Sequence, residues 1–102
     1  MVELCRFDEL GDGEARRFDV DGHRIAVVRI GEDVYAIGDR CSHQDISLSE
    51  GTVDPDEYTI ECWKHGSTFD LRTGKPETLP ATRPVPVYEV EVRDGVVVVD
   101  LP

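Results

Sequence analysis

Apolar residues in this chain fall in short runs and two-residue alternations, and almost never at helical spacing. The run Arg24-Ile25-Ala26-Val27-Val28-Arg29-Ile30 and the segment Val34-Tyr35-Ala36-Ile37 flank Gly31-Glu32-Asp33. This predicts a β-hairpin with a three-residue loop. Residues 86–92 alternate, with Val87, Glu89 and Glu91 on one face and Tyr88, Val90 and Val92 on the other. They lead through Arg93-Asp94-Gly95 into Val96–Val99, and Asp-Gly between apolar runs is a strong hairpin signal because both turn positions need positive φ. Residues 58–62 and 67–71 predict two further short strands, the second ending in a turn at Arg72-Thr73-Gly74-Lys75. No window of a dozen residues carries apolar groups at i, i+3, i+4 and i+7 without a Gly or Pro interrupting. The expected fold is all-β, a small antiparallel sandwich or barrel.

A length of 102 residues makes this one domain, residues 1–102, with one modest core. That excludes a two-domain dehydrogenase or a barrel enzyme. Twenty-two acidic against eleven basic residues leave a net charge of -11, a field that repels nucleic acid and anionic lipid. No apolar run reaches the length of a membrane span, and the N-terminal residues carry no secretory signal, so the expected compartment is the cytoplasm. Residues 39–83 are less regular than the rest and read as a lobe elaborated on the strand scaffold. Within it, Asp45 to Glu61 holds six acids and no base, either a solvated loop or a docking surface.

Two local pairs carry the chemistry: Cys41-Ser42-His43 and Cys62-Trp63-Lys64-His65. Thiolate and imidazole are the side chains that bind borderline and soft transition metals well. With three cysteines and three histidines in the whole chain, two such pairs by accident would be improbable. A structural zinc site usually separates a tight Cys-Cys knuckle from a His-His pair, whereas here each loop offers one of each. That division suits a binuclear cluster with a thiolate and an imidazole from each loop.

Cys-x-His followed by Cys-x-x-His-Gly resembles the signature of Rieske [2Fe-2S] proteins. Cys62 to Asp70 is similar to the second cluster loop and its following strand, Thr73-Gly74 to the family's turn, and residues 79–86 to the proline-containing segment that covers the cluster. The resemblance implies a Rieske fold of three small antiparallel sheets with a cluster-binding lobe. It also implies one [2Fe-2S] cluster per chain, with Cys41 and Cys62 on one iron and His43 and His65 on the other. Ser67 stands where a hydroxyl donates to a bridging sulfide, and Phe69 where some members carry a tyrosine. Ile46 and Lys64 occupy the positions of the extra disulfide of respiratory-chain members, which is therefore missing.

What the resemblance implies about function is a non-enzymatic ferredoxin, expected to be monomeric. It would carry single electrons from a flavin-dependent ferredoxin reductase to a non-haem iron oxygenase. Outside the two pairs only His23 remains, so no mononuclear iron site of an oxygenase is expected in this chain. The alternative role is an accessory protein that works with iron–sulfur assembly proteins. Of the other singular residues, Cys5 reads as a small apolar residue of a first strand, and His23 as exposed in the turn after Asp21-Gly22. Trp63 either shields the cluster or marks a partner contact, and Lys64 softens the acidic field. Gly11-Asp12-Gly13 lacks the third glycine of a phosphate loop, and no Asp-rich segment has calcium-loop spacing.

Overall fold

The computed structural model describes residues 2–40, 47–63, 66–77 and 83–101. Cys41, His43, Lys64, His65 and residues 79–82 of the expected covering segment lie outside them, as do Asp45 and Ile46. Nine strands run β1 (Val2–Arg6), β2 (Ala15–Val20), β3 (His23–Ile30), β4 (Asp33–Gly38), β5 (Thr52–Asp54), β6 (Thr59–Glu61), β7 (Thr68–Asp70), β8 (Val87–Arg93) and β9 (Val96–Asp100) among the described residues. Single 3-10 turns occupy Phe7–Glu9 and Leu48–Glu50. Every pairing is antiparallel.

The strands form a sheet in the order β1-β9-β8-β4-β3-β2 and a second, three-stranded sheet in the order β5-β6-β7. The larger sheet is two meanders joined at a narrow seam. β4 and β8 share only the pairs Ala36↔Tyr88 and Ile37↔Val87, so the assembly amounts to three small sheets, as the resemblance implies.

β3 organises the core. Its run Ile25-Ala26-Val27-Val28 has no exposed surface, as expected of a strand covered on both faces. Successive side chains point to opposite faces. Ile25 and Val27 enter a cluster with Leu10, Ala36, Val97 and Val99. Ala26 and Val28 enter another with Ile37, Leu48, Ile60, Cys62, Phe69 and Leu71. Each fully buried Val or Ile contributes roughly 1.5–3 kcal/mol, so β3 holds the scaffold and the lobe to one another.

Three expectations change at this level. Ile30 pairs with Asp33, so the β3–β4 loop has two residues, Gly31-Glu32, rather than three. Only Gly31 takes positive φ, at 62°, as a type II′ turn requires. β2, with sequence ARRFDV, escapes the apolar pattern because it is the sheet's charged outer strand. His23 is not in a turn: it is the first residue of β3, half-buried, with its ring edge-on to Tyr88 at 5.9 Å. The turn before it is Asp21-Gly22, with φ of 49° and 79°.

The β7 turn is held by Asp70, whose Oδ1 accepts from the backbone N–H groups of Arg72 (2.7 Å) and Thr73 (3.3 Å). Burial pushes the Asp70 carboxyl up. Hydrogen bonds from the Arg72 side chain and backbone, the Arg72 charge and the Thr73 N–H outweigh that and hold it below its ordinary value. A carboxyl with a depressed folded pKa stabilises above its unfolded pKa and loses that contribution as pH falls through the folded value. Asp70→Ala should therefore cost roughly 1–2 kcal/mol at neutral pH. In urea titrations across pH, the gap from the wild-type protein should narrow below about pH 4.

Candidate metal centre

The second ligand loop starts where β6 ends. Cys62 is fully buried, and its backbone N–H donates to the Ser67 carbonyl at 2.7 Å. The Gly66 N–H donates back to the Cys62 carbonyl at 2.9 Å. The chain from Cys62 to Ser67 thus closes on itself through main-chain hydrogen bonds. Gly66 has φ of 73°, a left-handed value that glycine adopts at no steric cost, which gives the glycine after His65 a physical reason. Ser67 is also fully buried.

The first ligand loop has a fixed base. Arg40 and Ser47 form an antiparallel bridge that brackets residues 41–46. Next to it, the Leu48 N–H donates to the Asp39 carbonyl at 2.7 Å. Leu48 is fully buried in the cluster that contains Cys62 and Phe69. A third approach comes from Val85, buried in that cluster, whose N–H donates to the Gly74 carbonyl at 2.8 Å. The base of the first loop, the start of the second and the end of the expected covering segment therefore share one hydrophobic cluster.

Of the candidate site residues, the structure brings Cys62 and Ser67 together. Cys41, His43 and His65 lie outside the described residues. No group of three or more metal-ligating side chains occurs among the described residues. The donor chemistry at Cys62 fits an iron–sulfur cluster: a soft sulfur donor, shielded from water, in an apolar shell with its backbone pinned on both sides.

The remaining residues sort by exposure. Trp63 is 55% exposed among the described residues. Glu50, Asp54, Asp56, Glu57 and Glu61 are all exposed, and the Asp54 carboxylate caps its own turn by accepting from the Asp56 and Glu57 N–H groups. Cys5 lies in β1, half-buried against the scaffold cluster. Burial raises its thiol pKa, Arg16 opposes this, and Glu9 and Glu14 add to the rise. A protonated, partly covered thiol is a poor nucleophile. Asp39 was not legible as a site residue: its partners are Ser47 and Ser49, remote in sequence, and Arg17 on an outer strand.

Comparison with known proteins agrees with this geometry. The Rieske [2Fe-2S] domain family matches residues 1–89. The chain is 44% identical to the 3-phenylpropionate/cinnamic acid dioxygenase ferredoxin subunit of Escherichia coli strain K12, covering 99% of this chain and 93% of that one. Among solved structures, the ferredoxin of carbazole 1,9a-dioxygenase from Nocardioides aromaticivorans IC177 superposes with a TM-score of 0.94 at 41% identity, covering 96% and 94% of the two chains. A chain in a complex of reduced oxygenase and oxidized ferredoxin in carbazole 1,9a-dioxygenase superposes at 0.89 with 42% identity, covering 97% of this chain and 100% of that one. No helix among the described residues is long and apolar enough to cross a membrane. By sequence and by fold the chain belongs to the Rieske [2Fe-2S] family, and within it to the ferredoxins that carry electrons rather than catalyse.

Proposed function

We propose that this protein is the ferredoxin component of a multicomponent oxygenase system, a cytoplasmic monomer holding one [2Fe-2S] cluster. Cys41 and Cys62 would bind one iron and His43 and His65 the other, with the Ser67 hydroxyl donating toward a bridging sulfide. When bound, the cluster supplies a one-electron couple, and imidazole in place of two thiolates makes it less negative and easier to reduce. The chain's own residues do the rest. The self-closed Cys62–Ser67 loop fixes one thiolate, the apolar cluster around Phe69 and Leu48 excludes water, and the exposed Trp63 lies between the second pair of ligands in sequence. Electrons would arrive from a flavin-dependent reductase and leave to a non-haem iron oxygenase. The observation that carries this reading is the likeness along nearly the whole chain to a ferredoxin solved together with its oxygenase.

The partner encounter is electrostatically steered. Electron transfer needs only a brief complex, so a net charge of -11 and exposed carboxylates at Asp54, Asp56 and Glu57 act on association rate more than on affinity. The Debye length falls from about 30 Å at 0.01 M salt to about 8 Å at 0.15 M. Stopped-flow reduction by a flavin-dependent ferredoxin reductase should slow by about tenfold or more over that range. Charge reversal at Asp54, Asp56 and Glu57 should produce most of that slowing at low salt. A rate indifferent to both would leave the acidic segment as a solvated loop. Failure to accept electrons from any such reductase, or to pass them to an oxygenase, would remove the proposed role.

A further inference from the structure

Asp39 is fully buried, yet it sits between the end of β4 and the first ligand loop. All of its polar atoms are engaged. Its N–H donates to the Arg24 carbonyl at 2.9 Å and its carbonyl accepts from Leu48. Oδ1 accepts from the Ser49 N–H at 2.8 Å, and Oδ2 accepts from the Ser47 hydroxyl. The Arg17 Nε lies 3.6 Å from Oδ2. One carboxylate thus fastens the chain before residues 41–46 to the chain after them.

The two ligand loops are closed by different means. The second closes through its own main chain, whereas the first adds a buried side chain to its main-chain bridge and the Leu48–Asp39 bond. Burying a carboxylate is costly, and an amide of the same shape could accept from Ser49 and donate to Ser47 at much lower desolvation cost. The charge therefore needs a reason of its own. Arg17 faces that charge from a side chain that is 41% exposed and is also held by Asp19 at 3.1 Å. Asp39 precedes Cys41 by two residues in the chain, and two residues of chain span at most about 7 Å. A buried anion two residues before a ligand opposes the addition of an electron to the centre that the ligand binds.

Resting on the ligand assignment above, we propose that Asp39 is the positioning residue of the first ligand loop: its carboxylate fixes both ends of residues 41–46, and its charge holds down the reduction potential of the centre that Cys41 and His43 help to bind.

The test compares three variants of the full chain with the wild-type protein. Asp39→Asn keeps the shape and removes the charge; square-wave voltammetry should show its potential shifted upward. Ser47→Ala keeps the charge and removes one clamp; iron loss to a chelator should speed up several-fold. Val99→Ala, in the cluster on the other face of β3, should lower thermal stability and leave potential and iron loss unchanged. An Asp39→Asn protein with wild-type potential would overturn the proposal, whatever its stability. If that variant fails to fold, Ser47→Ala decides alone, and iron loss at the wild-type rate would overturn the proposal. Wild-type protein without iron would instead bring down the ligand assignment, and this proposal with it.

Discussion

Replacing Cys62 with alanine should give a folded protein that has lost its iron. The residue is fully buried in the lobe cluster with Ile60, Phe69 and Leu71, so alanine keeps an apolar group there and the fold survives. What is lost is a soft sulfur donor, and nothing else in the chain from Cys62 to Ser67 can replace it except the imidazole already assigned to the other iron. Serine at the same position is the harsher change, because a hydroxyl in an apolar cluster costs roughly 1–3 kcal/mol on top of the lost ligand. His65→Ala should likewise abolish the native cluster spectrum. His23→Ala and Cys5→Ser should not: one is held edge-on to Tyr88 in the scaffold, and the other is half-buried in β1. Visible absorption, iron content and far-UV circular dichroism on the same samples separate ligand loss from unfolding. An effect of His23→Ala equal to that of His65→Ala would mean that the wrong histidine has been assigned.

Gly74→Ala should be severely damaging, because it combines a steric clash with a left-handed backbone. Gly74 has φ of 74°, and a Cβ there would lie 2.2 Å from the Val85 carbonyl oxygen and 3.0 Å from Val87 Cγ2. The nearer atom is main chain and cannot turn aside. It belongs to the contact that fastens the β7 turn to the segment entering β8, with the Val85 N–H donating to the Gly74 carbonyl at 2.8 Å. Relief requires moving that segment away from the lobe cluster. A loss of about 3–5 kcal/mol is expected, which for a chain of this size lowers the melting temperature by more than about 12 °C. Gly13 is the control: φ is 78° but nothing lies within 4 Å of a Cβ, so Gly13→Ala should cost about 1 kcal/mol. Thermal melts that rank the two alike would remove the steric argument.

The parts of the fold that could be read from sequence are those where local chemistry and tertiary role agree. Asp94-Gly95 adopts the positive φ pair, 50° and 77°, that its dipeptide demands, and the continuous apolar run of β3 reports burial on both faces. β2 was missed because Arg16, Arg17 and Asp19 serve an outer edge rather than a core. The Asp21-Gly22 turn before β3 carried the same dipeptide signal as Asp94-Gly95, so the hairpin was in reach. At the site, the Cys-His pairs announce their chemistry through residue type and spacing. Asp39 could not, since its role comes from Ser47, Ser49 and Arg17, which only the fold brings to it.

The cluster assignment is the claim on which the rest depends, and metal and sulfide analysis of the purified protein tests it most directly. Protein prepared without oxygen should be reddish-brown and contain about two irons and two acid-labile sulfides per chain. A colourless protein with one tightly bound zinc and no labile sulfide would contradict it, and would make the two Cys-His pairs a structural zinc site instead.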